Sequence, residues 1–435
     1  MIVYKFGGTS VGNADRMKKV AQLITLDQER KVVVLSAVSG TTNTLVEIGE
    51  MLLKGSTETA LKLVESLEAD YTKIVDELYD TAEYKQKGKD IISKFFSQIR
   101  TLATIPDFND GNNKTLVAFG EILSTNLFFT YLQSQGISSS LVSAFDFMSI
   151  DEDGEPEIEK IGSKLTPHLG NEQLIITQGF ICKNHKGQTD NLKRGGSDYT
   201  ASIIGAAIRA NEIQIWTDID GMHNNDPRVV DKTHPIEALT FDEAAELAYF
   251  GAKILHPTSI LPAQKFNIPV RLKSTMDHEA KGTLIGLDSN ESDIKAIAAK
   301  DNITAIKIKS SRMLLAHGFL KNVFEVFSKY KTPIDMITTS EVAVSLTIDD
   351  ARNLEQIKEE LIHFGSVEID QNQTIVCIVG NMVSEKSGML KKIFDTISDV
   401  PVRMVSYGGS RHNISVLVDS KYKANILKQL NKLFS

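Results

Sequence analysis

The stretch IVYKFGGTSVGNADRMKKVAQLITLDQERKVVVLS, residues 2–36, decides the fold class. Two short apolar runs, at 2–6 and 31–36, enclose a segment at 15–27 whose apolar residues recur every three or four positions. Small polar residues and glycine follow each run, which is typical of a chain leaving a strand. Strands spaced by one helix length indicate βαβ units and a mainly parallel sheet.

The same pattern continues along the first two thirds of the chain. Apolar runs at 174–181 and 213–218 predict two more strands, and a helix is expected at 199–210. Residues 57–104 contain one glycine and no proline, which predicts two or three helices forming a covering layer. The polar segment near 281–294 ends this α/β region.

The last third of the chain is an internal repeat. Each copy has a strand, a glycine, a helix, a strand led by proline and an alternating strand. The first copy comprises 304–308, Gly318, 321–330, 332–337 and 342–349, and the second 374–379, Gly388, 391–398, 400–405 and 413–419. Two small βαββ-type units are the economical prediction.

Composition narrows the class of protein. A chain of 435 residues predicts two or three domains, and 42% hydrophobic residues argue against disorder. The formal net charge of −8 disfavours nucleic-acid or anionic-membrane binding. Two cysteines, no apolar run of membrane-span length and no secretory signal favour a cytoplasmic protein.

Glycine-rich turns beside charged residues are the first candidates for chemistry. Lys5 precedes Gly7 and Gly8, so an ammonium group and open backbone N–H groups are available to a phosphate. The turn is not a Walker A loop, since Asn13-Ala14 stands where Lys-Ser/Thr is required, and no G-x-G-x-x-G follows. The alternative is a plain strand-to-helix turn.

A second turn, Arg194-Gly195-Gly196-Ser197-Asp198, precedes the helix at 199–210. The glycines and Ser197 predict an anion-binding nest, with Arg194 as a carboxylate or phosphate clamp. Asp198 could instead cap the helix. A bare cap does not need Arg-Gly-Gly before it, so a binding function is favoured.

Two further segments are candidates: the first follows a strand, where open α/β sheets bind ligands, and the second contains a lysine. Thr217 to Gly221 and Asp226-Pro227-Arg228 follow a strand, although such residues also form ordinary turns. Gly251 to Pro257 contains Lys253 and His256, and the nine histidines lack metal-ligand spacing, so no protein-built metal site is expected. Cations, glycine turns and carboxylates together suit phosphoryl transfer with Mg²⁺ bridging nucleotide oxygens.

Eight motifs in a fixed order carry a family resemblance. They are K-F-G-G-T-S at 5–10, L-S-A at 35–37 with T-N at 42–43, G-E at 120–121, R-G-G-S-D-Y-T-A at 194–201, W-T-D-x-D-G at 216–221, D-P-R at 226–228, G-A-K-I-L-H-P at 251–257 and I-T-T-S-E-V at 337–342. The chain resembles the aspartate kinases of the amino acid kinase superfamily, most closely the lysine-sensitive monofunctional type. This implies a three-layer sandwich with a mainly parallel sheet, followed by two ferredoxin-like α+β ACT domains.

The resemblance implies ATP-dependent phosphorylation of the β-carboxylate of L-aspartate to 4-phospho-L-aspartate, the first step of lysine, threonine and methionine biosynthesis. Lys5 would stabilise the moving phosphoryl group, and Asp198 would organise Lys5. The implied aspartate site comprises Ser36, Thr42, Glu121, Phe180, Arg194, Gly195 and Ser197. The implied site for ATP, which brings its own Mg²⁺, comprises Lys5, Gly7, Gly8, Thr217, Asp218, His223, Arg228 and Lys253.

Regulation is also implied by the resemblance. The implied domains are the kinase domain at 1–290 and ACT domains at 291–370 and 371–435, with nesting of strand 294–299 into the second as an open alternative. The expected effector is L-lysine, and the expected assembly is a homodimer or a dimer of dimers through the ACT domains. The implied effector site comprises Met313, Ala316, Phe319, Leu320, Pro333, Ile334, Asp335, Ser340 and Glu341, with Asp335 as partner of the effector ammonium or, alternatively, a local pairing residue.

Several positions depart from the family pattern. His223 replaces an aromatic residue, Lys193 a glycine, Asp190-Asn191 small residues, and Ala316 a residue that often has a hydroxyl. These changes predict an altered nucleotide contact and a crowded or charged substrate entrance, and they leave the identity of the effector open. Two alternatives stay open: another amino acid kinase of this fold, or a catalytically weak paralogue that senses amino acids as a regulatory subunit.

Overall fold

The computed structural model describes residues 1–192, 195–251, 255–287, 293–310 and 317–434. The chain divides into two compact units. Unit 1 comprises Met1–Met222 and Leu255–Asp288, and unit 2 comprises His223–Ile254 and Ser289–Ser435. The kinase domain predicted at 1–290 thus includes one segment, 223–254, that groups with the C-terminal region.

Both units contain helices and strands, and the second contains the two repeats. The strands are β1 (Ile2–Phe6), β2 (Lys31–Leu35), β3 (Ser140–Leu141), β4 (Leu174–Gln178), β5 (Ile181–Lys183), β6 (Thr189–Asn191), β7 (Glu212–Thr217), β8 (Ala238–Thr240), β9 (Val270–Ser274), β10 (Thr283–Gly286), β11 (Ala296–Lys309), β12 (Ile337–Thr339), β13 (Ala343–Ile348), β14 (Ser366–Val379), β15 (Met404–Ser406) and β16 (Asn413–Asp419). The helices are α1 (Ala14–Ile24), α2 (Thr41–Leu53), α3 (Thr57–Leu78), α4 (Ala82–Ala103), α5 (Asp110–Ser134), α6 (Ala144–Phe147), α7 (Ile158–Leu165), α8 (Gly196–Ile208), α9 (Phe241–Tyr249), α10 (Leu261–Lys265), α11 (Phe319–Lys329), α12 (Leu354–Leu361), α13 (Met389–Thr396) and α14 (Lys423–Leu430).

Unit 1 is a three-layer sandwich. Its sheet runs β3-β4-β2-β1-β7-β9-β10, with parallel neighbours except for the antiparallel pair β9–β10. Helices α1 to α5 cover one face, where Phe6 stacks on Trp216, and α8 packs against the other. The predicted mainly parallel sheet and the two covering helices in 57–104 are therefore confirmed.

One predicted strand is too long. The apolar run at 174–181 forms β4 only to Gln178, and the chain then turns into β5. The strand ends before Phe180, whose φ of +66° lies in the left-handed region and not in the β region.

Helix α5 is the central buried helix of the covering layer. Its length and hydropathy would suffice for a membrane span, but 78% of its most apolar window is buried. Burial inside the unit accounts for its apolar composition, because a core helix is apolar on every side.

Unit 2 contains one six-stranded antiparallel sheet in the order β12-β13-β11-β14-β16-β15. The two central strands, β11 and β14, each have 14 residues and belong to both repeats. The part of β11 from Thr304 lies between β13 and the first part of β14, whereas Ala296 to Lys300 pair with the last part of β14. Helices α11 and α12 cover one half of the sheet, and α13 and α14 the other. The expected pair of ferredoxin-like units is confirmed.

Residues 223–254 pack within unit 2 through polar contacts as well. Asn225 donates its amide to the Leu427 carbonyl over 3.0 Å, and Asn413 donates to Glu246 on α9. These contacts join residues 202 and 167 positions apart, so no local sequence pattern could assign the segment.

Candidate active site

An ion pair at the centre of unit 1 links the sheet to α8. Successive side chains of a strand point to opposite faces, so Phe6 faces the helices α1 to α5 and Lys5 faces α8. The Lys5 Nζ lies 2.6 Å from Asp198 Oδ1, and both side chains are largely buried. The structure thus joins the two residues predicted to be catalytic.

Two glycines shape the turn that carries Asp198. Gly195 and Gly196 have φ values of +68° and +48°, which other residues adopt only with strain. A Cβ at Gly195 would lie 2.5 Å from the Ser259 Cβ, so the position also lacks room for a side chain. Asp198 then falls in the first turn of α8, where the helix dipole favours negative charge. The predicted clamp Arg194 and the departure Lys193 lie outside the described residues.

A cavity of about 490 Å³ opens between the end of β2 and the starts of α2 and α8. Five residues predicted for the aspartate site line it: Ser36, Thr42, Glu121, Phe180 and Ser197. Gly8 lines the same cavity. The residues come from segments far apart in sequence, and the parallel sheet gathers them at the carboxyl ends of its strands, where open α/β sheets bind ligands.

Glu121 is the most unusual group in this cavity. Its side chain projects from α5, and the residue is only 3% exposed. The Oε1 atom accepts a 3.3 Å hydrogen bond from the Ala37 N–H, whereas the buried Oε2 has no hydrogen-bond partner. Burial raises the pKa of Glu121 to about 7, although the backbone hydrogen bonds oppose this shift. A buried carboxyl group with an unused oxygen beside a cavity suits a cationic ligand group.

Hydrogen bonds made by hydroxyl groups connect the segments that line the cavity. Ser36 donates to the Ser197 Oγ over 2.8 Å, and Ser124 donates to the Ser36 carbonyl over 2.7 Å. The Phe180 N–H donates to the Thr200 Oγ1 over 2.8 Å, which fixes the left-handed turn after β4. Ser124 is not predicted from the sequence, and its only signal there is its place one helical turn after Glu121.

The residues predicted for the nucleotide fall in both units. In unit 1, Gly7 and Gly8 directly follow β1, and Thr217 ends the neighbouring β7, where its hydroxyl donates to Asp218 over 3.0 Å. Unit 2 holds the other described ones: His223 shares a 2.8 Å hydrogen bond with Thr233, and Arg228 pairs with Asp226 at 2.9 Å. Lys253 lies outside the described residues. No group of three or more His, Cys, Asp or Glu residues able to hold a metal ion occurs in the described part of the chain.

The departure at Asp190 has a local partner. Its carboxylate lies 2.7 Å from the Lys114 Nζ on α5, and its other oxygen accepts the Asn191 N–H. Asp190 is not among the residues lining the cavity. The added charge is thus neutralised within unit 1.

Most residues of the predicted effector site surround the start of α11 and the strand β12. Phe319 and Leu320 begin α11, while Pro333, Ile334 and Asp335 precede β12. Ser340 and Glu341 follow β12 in an exposed turn closed by the Ser340 N–H to the Ala343 carbonyl at 2.8 Å. Met313 and Ala316 lie outside the described residues.

Comparison with known proteins agrees with this architecture. Residues 1–274 match the amino acid kinase family, and residues 376–434 match an ACT domain. The fold and the buried Lys5–Asp198 pair define the class as an amino acid kinase with ACT domains. Within that class, the chain belongs to the aspartokinase family.

The relatives that support this assignment cover the whole chain. Lysine-sensitive aspartokinase 3 of Escherichia coli K12 is 34% identical, over 99% of this chain and 98% of its own length. Chloroplastic aspartokinase 1 of Arabidopsis thaliana is 35% identical, over 99% of this chain and 80% of its own.

Solved structures give the same result. E. coli aspartokinase III in complex with lysine and aspartate superposes with a TM-score of 0.86 at 33% identity, covering both chains completely. The same enzyme with aspartate and ADP gives a TM-score of 0.82. The aspartate kinase of Clostridium acetobutylicum gives 0.88 at 26% identity, again over both complete chains.

Proposed function

We propose that the protein transfers the γ-phosphoryl group of ATP to the β-carboxylate of L-aspartate, forming 4-phospho-L-aspartate, under feedback control by L-lysine. The observation that carries this proposal is the buried Glu121 Oε2, which faces no protein partner beside a cavity that also contains Ser36 and Ser197. Its chemistry favours a small zwitterion such as an amino acid.

Aspartate is proposed to bind by charge matching. The Glu121 carboxylate accepts the α-ammonium group, because burial strengthens an ion pair with a ligand. Arg194 is proposed to bind the α-carboxylate. The walls formed by Thr42, Phe180 and the Ser36–Ser197 hydroxyls position the β-carboxylate for attack, and Gly195 shapes the turn that carries Ser197.

The phosphoryl step is then mainly electrostatic. A β-carboxylate oxygen of aspartate forms a bond to the γ-phosphorus while the bond to the ADP oxygen breaks. Lys5 neutralises the charge on the transferring oxygens, and Asp198, at 2.6 Å, holds its ammonium group in place as a positioning residue. Gly7 and Gly8 let the phosphates approach the backbone, and Thr217, Asp218, His223, Arg228 and Lys253 are proposed to contact the nucleotide.

The Mg²⁺ that accompanies ATP would supply further charge neutralisation at the phosphates. We propose that it is held by nucleotide oxygens, as in other phosphoryl transfers. Asp198 alone does not provide the oxygen-rich set of ligands that a protein-built Mg²⁺ site needs.

The rest of the proposal concerns the cellular role. The reaction is the committed entry to lysine, threonine and methionine biosynthesis, and the protein acts in the cytoplasm. L-Lysine is proposed to bind the first ACT repeat near Asp335. A homodimer, or a dimer of dimers, is proposed to form through the ACT domains.

The first experiment measures ADP release with Mg·ATP and L-aspartate, with and without L-lysine or L-threonine. Aspartate-dependent turnover that lysine suppresses is the expected result. Suppression by threonine alone would retain the kinase and replace the effector. Lysine binding without turnover would contradict the kinase proposal and favour a regulatory subunit.

A further inference from the structure

Four residues of unit 2 form a partly buried ionic cluster next to the predicted effector segment. Lys300, on β11, places its Nζ 3.0 Å from Asp335 Oδ1 and 2.8 Å from Asp349 Oδ2. Tyr249, the last residue of α9, donates its hydroxyl to the same Asp335 oxygen, and its ring lies 4.4 Å from the Lys300 Nζ. We name Lys300, Asp335, Asp349 and Tyr249 the Asp335 cluster.

The Asp335 cluster carries a net negative charge, and its other members cover the Asp335 carboxylate. Two carboxylates share one ammonium group, so the cluster can accept a further cation. The Asp335 side chain is only 1% exposed, and its buried Oδ2 has no hydrogen-bond partner. A ligand can therefore reach this carboxylate only if Lys300 or Tyr249 moves.

The second repeat has the same arrangement with reversed charges. The Asp335 N–H donates to the Thr347 carbonyl over 2.9 Å, as the Arg403 N–H does to the Leu417 carbonyl over 2.8 Å. Arg403 pairs with Asp370 on β14, but these side chains are 34% and 43% exposed. Of the two equivalent positions, only the one in the first repeat offers a buried carboxylate to a cation.

We propose that Lys300 is a built-in competitor for a cationic amino-acid effector: it occupies Asp335 in the absence of effector and transfers to Asp349 when the effector ammonium binds. This inference rests on the proposed feedback control by lysine and adds the residue that sets its threshold. In this proposal the group that displaces Lys300 is the side-chain ammonium group of the effector, not its α-ammonium group.

The bridging position of Lys300 makes this exchange feasible. After displacement, its ammonium group keeps Asp349 as a partner, so no buried charge is left unpaired. Burial opposes the charge on Lys300, but its hydrogen bonds to Asp349 and Asp335 outweigh burial and raise its pKa. Lys300 therefore competes as a full cation at neutral pH.

The exchange also affects α9. Tyr249 ends that helix and shares the Asp335 oxygen with Lys300, so a new cation there changes the surroundings of its hydroxyl group. The chain continues four residues later to Lys253, which is proposed to contact the nucleotide.

Two substitutions test the exchange because they shift lysine affinity in opposite directions. Lys300→Met removes the competitor, so the dissociation constant of L-lysine should fall by about tenfold. Asp349→Asn removes the alternative partner and leaves Lys300 on Asp335, so the constant should rise by a similar factor. Lys309→Met is the matched control, since Lys309 lies on the same strand and pairs with Glu368 at 2.7 Å.

Calorimetric titration of the full-length protein measures these constants without relying on turnover. The affinity for L-norleucine, which has the carbon chain of lysine without the side-chain ammonium group, should change in none of the variants. Unchanged or weaker lysine binding in Lys300→Met, or unchanged or tighter binding in Asp349→Asn, overturns the inference. If Lys300→Met fails to fold, the exposed Asp349→Asn change decides alone.

Turnover measured in parallel separates this inference from the proposed function. A wild-type protein that phosphorylates aspartate but binds no lysine overturns the inference and keeps the kinase. A protein without turnover in which lysine binding shifts in both expected directions supports the inference and removes the kinase proposal.

Discussion

Lys5 and Asp198 form an ion pair whose side chains are 12% and 17% exposed, between a central strand and the first turn of α8. Such a pair needs both members, because removing one leaves the other charge buried without a partner. The strand fixes the lysine in front of the glycine turn, so its charge is already oriented when a phosphate arrives. This preorganisation is the main contribution a side chain makes to phosphoryl transfer.

Replacement of Lys5 by methionine should therefore affect the reaction more than binding. We expect kcat to fall by about 10²–10³-fold, with a much smaller loss of ATP affinity, because the charge acts on the developing transition state. Steady-state kinetics with a nucleotide-binding titration measure both quantities. Lys18→Met, at a half-buried lysine that donates to the Glu77 carbonyl, is the control. Unchanged turnover in Lys5→Met would remove Lys5 from the mechanism.

The ionisation of Glu121 makes the stability of the protein depend on pH. Its folded-state pKa of about 7 lies above the ordinary value of 4.5, so between these pH values the folded protein holds a proton that the unfolded chain has lost. The contribution of this proton to the free energy of unfolding is fully present below pH 4.5 and is lost as the pH rises through about 7. Above that pH, the buried charge costs up to about 3 kcal/mol before a ligand binds.

Glu121→Gln should consequently stabilise the substrate-free protein at pH 8 by up to about 3 kcal/mol and have little effect near pH 4.5. Urea unfolding at both pH values measures this. The same substitution should weaken aspartate binding, since the ammonium group loses its partner. Glu50→Gln, at an exposed residue of α2, should change neither property. An equal stability change at both pH values would show that ionisation of Glu121 is not the cause.

At the scale of elements, the cavity depends on how closely β4 approaches α8. Gly179 follows β4, and a Cβ at this position would overlap the Oγ and Cβ atoms of Ser197. A Cβ at Gly120 of α5 would lie 2.9 Å from the Ala37 Cβ. At both places, Gly179 against Ser197 and Gly120 against Ala37, the two segments of the cavity wall can approach only because the glycine has no side chain.

Gly179→Ala should push Ser197 away from Ser36 and open their 2.8 Å hydrogen bond. We expect the KM for aspartate to rise by about tenfold and stability to fall by about 1–3 kcal/mol, the usual cost of overpacking. Kinetics and thermal unfolding are the measurements. Gly286→Ala on β10 is the control, because a Cβ there meets no atom within 4 Å. Equal behaviour of the two variants would contradict the close approach at Gly179.

At the scale of the whole molecule, the ACT repeats share their two long central strands. The sheet therefore ends at β12 and β15. All three residues of β12 are exposed, with Ile337 39% accessible. An exposed edge strand presents unpaired backbone groups to a second chain, and the exposed Ile337 adds apolar surface, which supports assembly through this region.

Ile337→Lys should therefore produce a monomer near 48.0 kDa, whereas the wild-type protein should have at least twice that mass. Light scattering after size exclusion measures the mass. Ile362→Lys, at an isoleucine that is 53% exposed just beyond α12, should leave the assembly intact. A wild-type monomer, or a multimer of the Ile337→Lys variant, would contradict this interface.

The amino-acid sequence by itself determined the α/β class of the first unit, its mainly parallel sheet and the internal repeat of the second. These features depend on hydrophobic periodicity and turn residues, which act over a few positions. The order of the motifs also predicted Lys5, Glu121 and Asp198 as site residues. The strand predicted at 174–181 is too long because hydrophobic periodicity does not reveal the left-handed backbone conformation of Phe180.

Only the tertiary structure decided the charges and partners of these groups. Glu121 has a raised pKa because α5 buries it beside Ala37, 84 positions away in the chain. Asp335 is covered because β11 brings Lys300 to it, and the repeats form one sheet because β11 and β14 run through both. Burial and ion pairing depend on which distant segments pack together, and a linear pattern carries little information about that packing.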